Sequence, residues 1–342
     1  MRVVVAAPGP AFSVYDAHVG WCEALRELGC HVIDYNLAER LTFYGSVLME
    51  AGPATFRRAL SAEQATDLAV NGIYSTLYKA RPDLLLVISG FFYPTEVYSR
   101  ARAQGTRVVI VHTESPYEDQ RQMELAPYAD LNLIDDPTNF EAFKAIAPTM
   151  WLPRAYRPSI HHPGEAKPDL VSDFAFVGTG YPSRVRFFEA MDLRDLDVLL
   201  AGNWQDLDDD SPLKRFVGHD VADCLDNADT ADVYRSTKVG INLYRREAEA
   251  AHLGQGMTIG PREIEMAACR TFFLRDPRPE SDELFDFLPA FAGPADAETQ
   301  LREWLPRTRE RVELAERARQ VIADRTFTNQ AAVLLRQLET RS

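Results

Sequence analysis

The chain has 342 residues, of which 46% are hydrophobic and 26% charged, with a formal net charge of -14. Composition of this kind supports packed cores, and at about 100–200 residues per domain the length points to two domains. The acid excess excludes a broad electrostatic grip on nucleic acid, which needs a basic surface to release counterions; nucleic acid enters only as a reaction partner in a local groove. The four cysteines, Cys22, Cys30, Cys224 and Cys269, form no CxxC pair and no zinc-type Cys/His spacing, so they read as buried free thiols in a reducing compartment, with no bound metal. No segment approaches the roughly 20 apolar residues of a membrane span, and the first apolar run is too short for a secretion signal. The expected location is the cytoplasm.

Residues 3–7 are a continuous apolar run, the signature of a strand buried on both faces. Val19, Trp21, Cys22, Leu25 and Leu28 follow at helical spacing, closed by Gly29, and residues 31–35 form a second strand. A helix over 62–79 stops at Arg81-Pro82; then come a strand at 84–88, a helix at 95–104, strands at 107–111 and 131–134, and a helix at 138–146. Alternation of this kind predicts a parallel sheet with helices on both faces. Ligands of such sheets sit at the carboxyl ends of the strands, so the loops after Ala7, Ile88 and Val111 matter most.

Residues 152–171 contain Pro153, Pro158, Pro163 and Pro168 and the pair His161-His162, and read as a solvated interdomain linker. The alternation then restarts. Strands are expected at 174–177, 198–201, 239–243 and 271–274, and helices at 183–191, 231–237 and 261–268, with a largely helical tail from 295. The fold class is therefore α/β, with two Rossmann-like doubly wound parallel-sheet domains at 1–151 and 172–325.

Four constellations can carry chemistry. Gly178-Thr179-Gly180-Tyr181-Pro182-Ser183-Arg184 follows a strand and opens a helix. Glycines there let backbone approach phosphate, and the helix start supplies N–H donors and a positive dipole end. Arg184 adds charge, while Ser183 replaces the third glycine of a dinucleotide fingerprint, which speaks against a nicotinamide cofactor. Arg262 and Glu265 share one face at the start of the helix at 261–268, behind Gly260-Pro261. The arginine suits a diphosphate and the carboxylate a ribose diol, although the same pair also serves as a surface salt bridge. His112 and Glu114 end the strand at 107–111, a position fit for a general base. Asp206-Leu207-Asp208-Asp209-Asp210 looks like an acidic metal motif but lacks a preceding apolar strand of the right kind, and reads as a solvated loop.

Residues 176–179, 234–243 and 262–269, together with Trp151-Leu152-Pro153, His112–Pro116 and Asp135-Asp136-Pro137, resemble CgeB-like glycosyltransferases, a bacterial group with the GT-B fold. The resemblance spans most of residues 80–340 and implies transfer of a sugar from a nucleoside diphosphate sugar (UDP-, GDP- or TDP-linked) to an acceptor hydroxyl, without cofactor or metal. It places the donor on the C-terminal domain and the acceptor on the N-terminal one. Glu265 matches the ribose-binding glutamate, Arg262 and Gly178-Thr179 match diphosphate or nucleotide contacts, and Asn242 and Tyr244 would border the donor, with Arg184 and Asn203 nearby. His112 or Glu114 would be the base. The last helix, within 326–342, would return to the N-terminal domain. Two departures stand out: Met257 occupies the place of a second glutamate eight residues before Glu265, and Arg270 replaces the glycine after Cys269. A phage-type transferase acting on modified DNA bases and an inert sugar-nucleotide binding protein are the alternative readings.

Overall fold

The computed structural model describes residues 1–9, 14–50, 60–219, 225–247 and 256–340, the side chains of 46–50 excepted; Cys224 lies outside the described residues. The chain forms two compact units, Met1–Leu152 with Phe327–Ser342, and Pro153–Thr326.

The first unit runs β1 (Arg2–Ala6), α1 (Tyr15–Glu27), β2 (His31–Tyr35), α2 (Leu37–Glu50), α3 (Ala62–Ala80), β3 (Leu84–Ile88), α4 (Thr95–Ala103), β4 (Arg107–His112), α5 (Asp119–Leu125), β5 (Leu131–Ile134), α6 (Phe140–Ile146) and β6 (Thr149–Trp151). Its six strands are all parallel in the order β2-β1-β3-β4-β5-β6. Every residue of β3 is buried, because helices cover both faces of a central parallel strand. A capping box starts α3: Ser61 Oγ accepts from the Gln64 N–H and Gln64 Oε1 from the Ser61 N–H, each at 3.1 Å. Helix α2 and strand β6 carry too little periodicity to be read from the sequence. The order reverses between β1 and β3, and Tyr93 ties their ends together by donating to the Ala7 carbonyl at 3.0 Å.

The second unit runs β7 (Ser172–Val177), α7 (Pro182–Glu189), β8 (Val198–Ala201), α8 (Asn227–Ser236), β9 (Thr237–Ile241), α9 (Pro261–Ala268), β10 (Phe273–Leu274), α10 (Pro279–Leu284), α11 (Pro294–Trp304) and α12 (Thr308–Val321). Its four parallel strands take the order β10-β9-β7-β8, reversing between β7 and β9. Phe174, Phe176, Phe188 and Trp204 form its aromatic centre, with Phe176 and Phe188 ring centroids 5.1 Å apart.

Helix α13 (Phe327–Thr340) belongs to the first unit and packs along α1. Leu334 and Leu338 are buried. A Cβ on Gly20 would lie 2.3 Å from the Phe327 ring, so only glycine admits this crossing. Thr328 donates to Glu27 at 2.6 Å.

The proline-rich stretch is solvated only in part: residues 162–169 are exposed, while Leu152, Arg157 and His161 are buried. Arg235 donates to the Ile160 and His162 carbonyls at 3.0 and 3.2 Å, and the Lys167 N–H donates to Ser236 at 2.9 Å. His161 is buried while His162 is exposed. Prolines stiffen the segment, and these three hydrogen bonds to α8 fasten it to the second unit.

Candidate functional site

In open α/β sheets the crevice for ligands forms where the strand order reverses. In the second unit that point lies between the carboxyl ends of β7 and β9, and Arg262 sits on it. From the first turn of α9 its guanidinium donates to the Val177 carbonyl at the end of β7 and, at 2.8 Å, to Asn242 Oδ1 just beyond β9. It also lies over the Phe176 ring, 4.8 Å from the centroid. Gly178 has φ +154 and makes room for this arrangement: a Cβ there would stand 2.7 Å from Arg262 Nη2. Gly202 (φ +107) lets the β8 loop close on Gly178, since a Cβ at 202 would meet the Gly178 carbonyl oxygen at 2.7 Å. Gly178, Thr179, Arg262 and Glu265 keep part of their surface open to solvent.

Glu265 and Glu263 lie on different faces of α9. Glu265 is half-buried and accepts from the Tyr234 hydroxyl at 3.3 Å. Glu263 is fully buried, accepting from the Gly260 N–H at 2.9 Å, Ser281 Oγ at 2.6 Å and the Tyr244 hydroxyl. Burial raises the Glu263 pKa in spite of these donors.

Several sequence-predicted binding residues also serve the scaffold. Arg184 is a correction: its buried guanidinium donates to the Leu243 carbonyl at 2.9 and 3.2 Å and to the Thr179 carbonyl at 2.9 Å, against the Phe176 and Tyr181 rings. Its charge therefore shapes the loop after β7 from behind. Tyr244 is a second correction. It is buried, its hydroxyl serves Glu263, its N–H donates to Asp276 at 2.9 Å, and Arg278 covers its ring at 3.7 Å. Asn242 is buried and orients Arg262, while its Nδ2 has no partner among the described residues. Asn203 holds its own loop, accepting from the Gln205 N–H at 3.0 Å and, through its carbonyl, from the Gly180 N–H at 2.8 Å.

Glu247 was missed. Its carboxylate accepts from the Ser183 N–H at 2.9 Å and Ser183 Oγ at 3.0 Å, at the N-terminal end of α7 assigned to phosphate. Burial alone would raise its pKa, but these donors and the Arg246 N–H outweigh burial and hold it below the usual range. The contact joins residues 64 apart in sequence, with no local pattern to reveal it. The acidic residues Asp206, Asp208, Asp209 and Asp210 are exposed, and Asp209 pairs with Lys214 at 2.8 Å.

In the first unit, His112 is a correction. Its imidazole is completely buried, with Nε2 2.8 Å from Asn132 Oδ1 and the ring packed on Phe143. A group so enclosed cannot take a proton from a substrate hydroxyl. Glu114, two residues on, is half-buried in the loop after β4, its N–H fixed by Gln122 Oε1 at 3.1 Å. Gln122 in turn joins Ser115, Asp119 and Asn139 in a buried network.

His112 carries a pH prediction. Burial pulls its pKa from 6.5 down to about 4, with the Asn132 hydrogen bond partly opposing. Between these values the unfolded chain takes up a proton that the folded chain refuses, so stability falls as pH drops through that window. At about 1.4 kcal/mol per pH unit the loss amounts to roughly 3 kcal/mol. Urea melts of His112→Gln against wild type should show a shallower acid limb for the variant; parallel limbs would refute the assignment.

Residues 184–336 match the glycosyl transferase-like family model. No curated protein sequence matches the chain. Among solved structures, the E. coli trehalose-6-phosphate protein bound with UDP-2-fluoro glucose is similar at TM-score 0.59 and 12% identity, covering 99% of both chains. Anabaena HepE in complex with UDP is similar at 0.59 and 10%, covering 99% of this chain and 100% of the other. An enzyme described as a UDP-N-acetylglucosamine 2-epimerase from Listeria monocytogenes gives 0.57 and 14%, covering 98% and 94%. Two parallel-sheet α/β domains of this kind are the GT-B fold. The family-model match over residues 184–336, on this fold, supports a transferase enzyme of the glycosyltransferase type.

Proposed function

We propose that the chain transfers a sugar from a UDP-sugar to an acceptor hydroxyl, and that within its class it belongs to the CgeB-like group. The observation that carries this reading is the pairing on α9 of Arg262, seated at the β7/β9 reversal, with the half-buried Glu265 on the same helix. Arg262 and the backbone around Gly178 and Thr179 would stabilise the diphosphate as the bond from the anomeric carbon to its oxygen breaks. Glu265 would accept from both ribose hydroxyls. Glu114 would take the acceptor's proton as the new C–O bond forms. The neighbours solved with UDP or a UDP-sugar support uridine as the nucleoside.

A thermal-shift series with UDP-, GDP- and TDP-sugars tests this reading. Ligand that binds only the folded state raises its stability by RT ln(1 + [L]/Kd), so UDP-sugars should raise the melting temperature most. No shift with any of the three would overturn the proposal. Activity should also survive EDTA, because the charge on the leaving group is met by Arg262 and backbone N–H groups. Loss with EDTA and rescue by manganese would redirect attention to Asp208 and its neighbours.

A further inference from the structure

Helix α1 and strand β2 gather three metal-binding groups that the transfer reaction does not use. His18 and Cys22 are four residues apart on the buried face of α1, the spacing by which helices present paired ligands to one ion. Asp34, near the end of β2, reaches them from the neighbouring edge strand of the sheet. His18 Nε2 lies 2.8 Å from Asp34 Oδ1 and 3.8 Å from Cys22 Sγ. One donor atom from each of the three residues lies within 4.8 Å of the others. His18 and Cys22 are buried, whereas the Asp34 side chain is 40% exposed.

A tetrahedral zinc ion with Zn–N and Zn–O near 2.0–2.2 Å and Zn–S near 2.3 Å needs N–O and N–S separations of about 3.4 and 3.6 Å. The site therefore has to open by only about half an ångström along its N–O edge. A hydrogen bond between His18 and Asp34 would account for two of the residues. The thiol, brought against the same ring nitrogen by its place one turn on in α1, supplies the third group. Imidazole, thiolate and carboxylate together suit zinc or cobalt; magnesium and calcium prefer all-oxygen sites.

We propose that His18, Cys22 and Asp34 bind a zinc-class divalent cation that clips α1 to β2, with a further coordination position open to solvent on the Asp34 side. On binding, the Cys22 thiol proton leaves to solvent. The imidazole proton resides on Nδ1, which has no partner among the described residues, freeing Nε2 for the metal. The clip acts on stability within the first unit and is independent of the donor assignment in the second.

The test uses the full chain, stripped with EDTA and desalted, then titrated with cobalt(II). The expected result is a thiolate-to-cobalt charge-transfer band that saturates at one equivalent and is bleached by zinc, with a raised melting temperature in zinc. Cys22→Ser should abolish the band. Asp34→Asn, at an exposed position that spares the core, should weaken cobalt binding at least tenfold. Absence of the band in wild type, or its persistence in Cys22→Ser, would overturn the proposal. If Cys22→Ser does not fold, unchanged cobalt affinity in Asp34→Asn does the same.

Discussion

Glu265→Ala should bind the UDP-sugar donor about ten- to a hundredfold more weakly than wild type, with the melting temperature of the free protein little changed. A ribose diol presents two donors to one ionised carboxylate, and charge-assisted hydrogen bonds contribute roughly 1.5–3 kcal/mol each. Glu265 is half-buried, and its hydrogen bond from Tyr234 is a long 3.3 Å. Glu265→Gln keeps the shape but loses the charge and one acceptor, and should fall between the two. Calorimetric titration of all three proteins, with melts recorded alongside, separates the possibilities. Unchanged affinity in a folded Glu265→Ala would remove the ribose assignment, and the proposed function would lose its strongest residue.

Glu263→Ala, two positions away, should do the opposite, destabilising the fold severely before any ligand is added. Its carboxylate satisfies the Gly260 N–H, Ser281 Oγ and the Tyr244 hydroxyl inside the second unit, where water cannot replace it. Stranding buried donors costs about 1–3 kcal/mol each, so a loss on the order of 3–5 kcal/mol is expected. For a domain of this size that is a fall in melting temperature of roughly 10 °C or more. Glu263→Gln retains one acceptor oxygen and should lose less. A Glu263→Ala protein melting within a few degrees of wild type would show that the network carries little.

The two glutamates also mark where the sequence stops being informative. Both stand in one short run, Arg262-Glu263-Ile264-Glu265. Spacing pairs Arg262 with Glu265 on one face, and the resemblance assigns the second glutamate to ribose. Nothing local says that Glu263 points inward, because its partners Tyr244 and Ser281 lie 19 and 18 residues away. The same limit explains Arg184. A basic residue at a helix start reads as a phosphate ligand, yet the carbonyl that claims it, Leu243, is 59 residues distant.

Sequence alone determined the two sheets and the strands that build them, β6 excepted. Continuous apolar runs such as Leu84–Ile88 can be satisfied only inside a parallel sheet, and glycines such as Gly178 mark where backbone must approach closely. It also placed Arg262 and Glu265 together, since helical spacing is a local property. Only the tertiary structure decided which polar groups remain available for chemistry. His112 and Glu114 look equally fit for proton transfer in sequence. Packing against Phe143 and Asn132 encloses the first, while the loop after β4 leaves the second partly open. The convergence of Asp34 on His18 and Cys22 is of the same kind. It depends on β2 lying beside α1 in space, and a hydrogen bond or a metal site between distant residues is set by packing, which no local pattern encodes.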